Sequence, residues 1–249
     1  PGFRDFSSSP VLGKDRAAEM LDEGRELMVR NRMSKKIIAI VPAAGVGTRA
    51  RRGGSVLLSA TVPKQYALIG GEPMLRRTVQ ALLREPRISQ IRVIVSREDT
   101  WVESCLQGME RTVWRHCGGE TRDQTVRQAL EDLRADDDTW ALVHDAARPG
   151  VPVEDLERLI SSCLEHDQGG LLAWPVTDTV KRQTPLQEDR QTRSEQTVDR
   201  EGLWLAQTPQ MFKANYLLDC LQKAQQQGAS ITDEASAVEL QGGQPLLIP

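Results

Sequence analysis

IIAIVPAAGVGTRA, residues 37–50, decides the fold. Its first half, IIAIVPAA (37–44), is a short, wholly apolar run rich in β-branched residues. That is the pattern of a strand buried on both faces of a parallel sheet. Its second half is a glycine-bearing loop, Gly45-Val46-Gly47-Thr48-Arg49-Ala50. Outward from this stretch, strand and helix signals alternate. Pro73 stands in the first turn of a helix carried by Leu75, Val79 and Leu82, which ends near Pro86. IRVIVS (91–96) reads as a second strand, and Val126, Leu130 and Leu133 give a helix over 122–134. WALVHDAARP (140–149) is a strand running into a polar turn, a helix follows over about 153–165, and LLAWPV (171–176) is strand-like again. Strands separated by helices of about 10–15 residues are βαβ units. The sequence therefore predicts an α/β fold with a mostly parallel twisted sheet flanked by helices. In such a sheet ligands bind beyond the carboxyl ends of the strands, so the residues after each strand are the candidates. The polar stretch TPLQEDRQTRSEQT (184–197) lacks apolar periodicity and is either a surface loop or the tip of a projecting hairpin.

Composition narrows the classes. At 249 residues the chain suits one large domain, or a domain with an appendage. Lys+Arg 32 against Asp+Glu 35 gives a net charge of −3, which speaks against a nucleic-acid binder working through bulk charge. Aromatics at 4% are too sparse for a base-stacking platform. No apolar run approaches the roughly 20 residues of a membrane span. Cys105, Cys117, Cys163 and Cys220 form no C-x-x-C pair, and only three histidines accompany them. Neither a zinc site nor a disulfide framework fits that spacing, and a reducing, cytoplasmic compartment is expected. Residues 1–33 differ from the rest: a Ser/Pro/Gly-rich start, then Ala17, Met20, Leu21, Leu27 and Met28 at helical spacing among charges. They lack the apolar core of a secretory signal. Met33, followed by Ser-Lys-Lys and a strand, has the look of a natural start, so 1–33 is expected to be a non-catalytic extension and 34–249 the working domain.

The glycine loop has a restricted meaning. As G-x-G-x-x-A it matches a variant of the dinucleotide-binding fingerprint. That fingerprint requires a helix opening at the loop and an acidic residue about 20 positions on. Arg51-Arg52-Gly53-Gly54-Ser55 breaks a helix instead, and no Asp or Glu occurs between Gly45 and Glu72. The Walker pattern fails as well, because no Lys-Ser/Thr follows Gly47. What survives is a backbone able to approach an anion, with Arg49, Arg51, Arg52 and, further on, Lys64 supplying positive charge. Alone this could be a solvated basic loop. At the carboxyl end of the first strand it points to phosphoryl or nucleotidyl transfer.

PAAGVGTR (42–49) followed by PKQY (63–66) resembles the nucleotidyltransferases of the sugar-nucleotide type. GGETRDQTV (118–126), VHDAARP (143–149), PVTDTVKR (175–182), TVDR (197–200), TPQMF (208–212) and ITDEAS (231–236) follow in order. Together they resemble the 2-C-methyl-D-erythritol 4-phosphate cytidylyltransferase family of the non-mevalonate isoprenoid pathway, over about residues 35–247. The resemblance implies a Rossmann-like nucleotidyltransferase fold with a projecting β-arm. It implies attack by the substrate phosphate on the α-phosphorus of CTP, with pyrophosphate leaving and Mg²⁺ bridging the triphosphate oxygens rather than sitting in a protein cage. Arg49 and Lys64 match the pair that stabilises the pentacovalent transition state. Ala43, Ala44 and Gly45 match the bare backbone against the nucleotide. Gly118, Gly119 and Glu120 match the base-recognition turn, and Thr125 a further nucleotide contact. Asp145 is expected at the ribose or in the metal shell, with Arg148 fixing that carboxylate or facing substrate. Thr179 and Arg200 fall on an arm of about 177–203 that crosses a homodimer, Arg200 at the methylerythritol phosphate. Thr208 and Asp233 are expected near the second substrate, Asp233 being equally well read as a helix N-cap.

Two stretches depart from the family. RRGGSVLLSATVP (51–63) is longer than the family has there, and is expected to form a flap over CTP. The sequence ends at Pro249, before the family's glycine turn, N-x-K-[IV]-T segment and final helix. A form without that lysine is expected to fold and bind CTP but to hold the second substrate poorly. Ribitol 5-phosphate is the alternative acceptor, disfavoured because such relatives carry a second glycine where this chain has Ala44. A non-catalytic nucleotide-binding role is disfavoured by the presence of both Arg49 and Lys64.

Overall fold

Strand β1 (Lys36–Pro42) is the apolar run, an interior strand of the sheet. Successive side chains of a strand point to opposite faces. Here Ile37, Ala39 and Val41 feed one hydrophobic core and Ile40 the other. The computed structural model describes residues 35–45, 62–185 and 191–249. Arg49 and the rest of the basic loop, most of the insertion, the N-terminal extension to residue 34 and positions 186–190 lie outside the described residues. Residues Lys36–Pro249 belong to one compact unit.

Among the described residues the main sheet has seven strands. Besides β1 they are β4 (Ile88–Ile94), β5 (Thr112–Arg115), β6 (Thr139–Val143), β7 (Gly170–Pro175), β10 (Trp204–Lys213) and β11 (Leu246–Ile248). Their order is β11-β7-β10-β6-β1-β4-β5. The pairs β1–β4, β1–β6, β4–β5 and β7–β11 are parallel, while β10 runs antiparallel to both β6 and β7. The expected mostly parallel α/β sheet is present. The antiparallel β10 within it was not foreseen: Gln207 and Pro209 interrupt its apolar pattern, and its pairing with β7 shifts register between Ala206 and Gln210. A small hairpin pairs β2 (Leu68–Ile69) with β3 (Glu72–Pro73).

Helices cover both faces. α1 (Met74–Leu83), α2 (Val102–Leu106) and α4 (Val153–His166) pack on the face of Ile37 and Val41, through residues such as Leu75, Leu106 and Leu159. α3 (Arg122–Leu133), α5 (Ala214–Gln226) and α6 (Glu234–Leu240) pack on the face of Ile40 and Phe212, through Leu130, Leu217 and Val238. Pro73 turns out to be the residue before α1 rather than part of its first turn. Local chemistry sets several helix ends. Thr121 caps α3 by accepting from the Gln124 N–H, and Glu154 and Asp155 occupy the first turn of α4, where the helix dipole favours negative charge.

The described parts of the polar stretch on either side of positions 186–190 form a hairpin. β8 (Val180–Gln183) and β9 (Ser194–Val198) pair antiparallel, Lys181 opposite Thr197, with nearly every side chain exposed. Because β7 runs parallel to β6, the hairpin leaves the sheet from its carboxyl edge. No helix among the described residues is long and apolar enough to cross a membrane.

Candidate functional site

The carboxyl edge of the sheet gathers most of the residues singled out in the sequence. β1 ends at Pro42, and Ala43 stays tied to its neighbour by an N–H bond to the Ile94 carbonyl at 2.7 Å. The Ala43 carbonyl accepts from buried Gln65 Nε2 at 2.8 Å. That bond brings the 3₁₀ turn Lys64–Tyr66 against the end of β1, with Lys64 exposed. Tyr66 anchors the turn from the other side. Its hydroxyl donates to Asp99 Oδ2 at 2.7 Å, and its ring stacks on Trp101 at 6.1 Å. Asp99 Oδ1 accepts from the N–H groups of Trp101 and Val102 at 2.9 and 3.0 Å. Burial and the adjacent Asp99 carboxylate hold the Tyr66 phenol above its ordinary pKa.

The turn before α3 abuts the same strand end. A Cβ on Gly118 would lie 2.3 Å from Ala44 Cβ and 2.8 Å from the Val95 carbonyl oxygen, so only glycine fits. Ala44 and Gly118, expected to flank one nucleotide, are thus direct neighbours, whereas among the described residues nothing lies within 4 Å of where a Cβ on Gly45 would be. The N–H groups of the turn are spent on the protein. Gly118 donates to the Val95 carbonyl at 2.9 Å, Gly119 to Thr125 Oγ1 at 3.1 Å and Glu120 to Gln124 Oε1 at 3.2 Å. Thr125 was expected to touch the nucleotide. Its hydroxyl, in a side chain 2% exposed, instead donates to the Thr121 carbonyl at 2.9 Å, beneath the turn.

After β6 comes a continuous polar network. Asp145 Oδ1 accepts from Arg122 Nε at 2.9 Å and Oδ2 from Arg148 Nε at 3.2 Å. Arg148 thus meets the same carboxylate from the exposed side, and its Nη1 also bonds to Gln207. Thr208 Oγ1 accepts from the Asp145 N–H at 3.2 Å and lies 3.0 Å from His144 Nδ1. His144 Nε2 lies 2.9 Å from the Arg148 carbonyl, which requires its proton on Nε2 and leaves Nδ1 to accept from Thr208. Burial pushes the His144 pKa down to about 4, so the ring is neutral near pH 7.

Behind Asp145, Arg122 forks onto Glu234 with its two Nη groups, at 2.7 and 3.0 Å. Glu234 is 1% exposed, and burial raises its pKa against the pull of the Arg122 charge. Its neighbour Asp233 is the N-cap of α6: Oδ1 accepts from the Ser236 N–H at 2.9 Å and Oδ2 from Gln210 Nε2 at 2.8 Å. Both Asp233 oxygens are thereby engaged within the protein. Thr179 and Arg200 lie apart from this network, exposed at the root of the β8–β9 hairpin, where Arg200 Nη1 bonds to the Thr177 carbonyl. Sequence reasoning missed Gln65, Arg122, His144, Gln210 and Glu234. All lie inside the quoted motifs, but their partners are distant in sequence; Arg122 and Glu234 are 112 positions apart. Among the described residues no three His, Cys, Asp or Glu side chains gather to hold a metal ion. With both Asp145 oxygens on arginines, the donor set suits an ion carried on a ligand's own oxygens.

The comparisons agree with this geometry. The IspD family model, 2-C-methyl-D-erythritol 4-phosphate cytidylyltransferase, matches residues 37–249. The chain is 57% identical over 216 residues to the enzyme of that name from Bordetella parapertussis, covering 87% of this chain and 90% of that protein. It is 42% identical over 219 residues to the Vibrio vulnificus enzyme, covering 87% of each. Among solved structures, a 4-diphosphocytidyl-2C-methyl-D-erythritol synthase superposes with a TM-score of 0.70 at 37% identity, over 86% of this chain and 89% of that one. The Francisella tularensis 2-C-methyl-D-erythritol 4-phosphate cytidylyltransferase gives 0.69 at 31% identity with the same coverage. With a family model matching residues 37–249 and a relative 57% identical over most of both chains, this chain with its mostly parallel sheet belongs to the 2-C-methyl-D-erythritol 4-phosphate cytidylyltransferase family.

Proposed function

We propose that the chain transfers the cytidylyl group of CTP to 2-C-methyl-D-erythritol 4-phosphate, releasing pyrophosphate for isoprenoid precursor biosynthesis, at the carboxyl edge of its sheet. The observation that carries this reading is the contact of Ala44 with Gly118 beside the Lys64 turn. It places a side-chain-poor backbone surface next to a turn that carries a cation. A phosphate monoester is already a nucleophile near pH 7. Its oxygen bonds to the α-phosphorus, the bond to the β-phosphate oxygen breaks, and pyrophosphate leaves with that electron pair. No protein base is needed. What the protein supplies is positive charge where charge accumulates, from Lys64 and Arg49. Mg²⁺, when bound on the triphosphate, neutralises part of its charge.

Base choice follows from the turn. With its N–H groups spent internally and the Gly119 carbonyl 3.3 Å from Thr125 Oγ1, the turn is left with the carbonyl oxygens of Gly118 and Glu120 to offer a base. Those suit the amino group of cytosine and repel the O4 of uracil. Asp145, an acceptor whose remaining lone pairs face away from the two arginines, takes a ribose hydroxyl. Thr208, under Asp145, acts as its support, and Arg200 at the arm root binds the methylerythritol phosphate through its guanidinium. Residues 1–33 take no part in catalysis. A homodimer completes the reading: an isolated two-stranded hairpin is marginal in water, and Trp174, Leu203, Trp204 and Leu205 stand exposed at its root. A cytoplasmic location is supported by four cysteines that are all free.

The test is pyrophosphate release with CTP and either methylerythritol phosphate or ribitol 5-phosphate. Turnover with the first and little with the second is expected. Preference for ribitol 5-phosphate, or no turnover with either, would overturn the substrate assignment.

A further inference from the structure

We propose that the buried Arg122–Glu234 ion pair is a strut that aims Asp145 at the nucleotide, so that Glu234 sets CTP affinity without touching CTP. The inference rests on the reading of Asp145 as the ribose acceptor. Glu234 opens α6, Arg122 opens α3 and Asp145 follows β6. Three elements from different parts of the chain thus meet at one guanidinium.

An arginine offers five donors in a rigid plane. Glu234 takes both Nη groups, at 2.7 and 3.0 Å, which fixes the orientation of that plane and leaves Nε to Asp145 at 2.9 Å. Stability alone does not call for such a pair, because well-packed apolar residues in place of a buried ion pair are often as stable or more so. What an apolar replacement would not supply is a fixed donor behind Asp145. The other arginine on that carboxylate, Arg148, is 46% exposed and 3.2 Å away, so solvent screens it and its side chain is less constrained. The Asp145 backbone is pinned through Thr208, but the carboxylate orientation depends on the Arg122 side. Arg122 and Glu234 are accordingly positioning residues that act through Asp145.

The experiment is a double-mutant cycle on the full chain, with steady-state kinetics below the unfolding temperature and circular dichroism to establish folding. Glu234→Gln keeps the shape and removes the charge. It is expected to raise KM for CTP about tenfold, and KM for methylerythritol phosphate by less than about twofold. Asp145→Asn alone is expected to raise KM for CTP by a similar factor. In the Asp145→Asn background, Glu234→Gln should add less than about twofold. A Glu234→Gln chain that melts lower yet keeps its CTP KM would show a purely structural pair and overturn the inference. So would an equal effect of Glu234→Gln in both backgrounds. If Asp145→Asn alone leaves CTP KM unchanged, the ribose role of Asp145 fails, and any Glu234 effect bypasses it. Should Glu234→Gln not fold, Arg122→Lys, which keeps the positive charge but loses the fork, is judged by the same criteria.

Discussion

Lys64 stands exposed on a turn whose next two residues are buried and bonded, Gln65 to the Ala43 carbonyl and Tyr66 to Asp99. Removing its ammonium therefore leaves the turn in place. Lys64→Ala is expected to lower kcat by roughly 10²–10³ while shifting KM for CTP little, since developing charge depends on the cation more steeply than ground-state binding does. Pyrophosphate-release kinetics check both constants, and a near-normal kcat would remove Lys64 from the chemistry. His144 offers a different test. Its pKa is about 4 in the folded chain and near 6.5 when unfolded. Between those values the unfolded chain binds the extra proton, so stability is complete above about pH 6.5 and falls as the pH drops towards 4. The whole loss is about 3 kcal/mol. Urea unfolding at pH 7 and pH 4.5 should show a steeper decline for the unaltered chain than for His144→Gln. Parallel declines would mean that the imidazole is protonated in the folded state.

Helix α6 depends on its first residues. Asp233 satisfies the Ser236 N–H while Ser236 Oγ accepts from the Asp233 N–H, a reciprocal cap at the start of a seven-residue helix. Asp233→Ala is expected to cost about 1 kcal/mol of stability and to leave KM for methylerythritol phosphate unchanged. Thermal unfolding and kinetics on the same preparation separate the two effects; a large KM rise at unaltered stability would restore Asp233 to the substrate site. The same element shows why some of the structure was legible and some was not. Strands such as IIAIVPAA announce themselves because burial on both faces demands an unbroken apolar run, and α4 because its apolar residues recur at helical spacing. β10 hid because its polar residues serve the site: Gln210, 1% exposed, bonds to Asp233 and Ala235 instead of packing as a strand core residue. In the site, motifs located Asp145 and Gly118 but could not say what stood behind them. The Arg122–Glu234 pairing exists only in the folded chain, and neither residue's neighbours in sequence signal it. The polar hairpin was likewise ambiguous, since a strand exposed on both sides carries no alternation to read.

At the scale of the whole molecule the exposed root of the hairpin is the conspicuous surface. Trp174 and Leu205 are 60% and 56% exposed, with Leu203 and Trp204 beside them. If a second copy covers this surface, Trp204→Glu should convert a dimer into a monomer in sedimentation equilibrium, with loss of activity and retention of the circular dichroism spectrum. An unaltered chain that sediments as a monomer would sink the dimer. Mixing Arg200→Ala with Lys64→Ala chains should restore part of the activity if each arm serves the neighbouring site. The strand order carries a last consequence, for synthesis rather than catalysis. In the strand order β11-β7-β10-β6, among the described residues β7 reaches β6 and the strands beyond it only through β10. β7 ends at residue 175 and β10 at residue 213, a gap of 213 − 175 = 38 residues. At roughly 5–20 residues per second a growing chain needs about 2–8 s to cover that gap. Throughout it, the open edge of β6 and the whole of β7 lack their partner while the ribosome works through the hairpin. During this interval the nascent chain exposes unpaired strand edges that can pair with a wrong strand, and a chaperone covering them protects the fold.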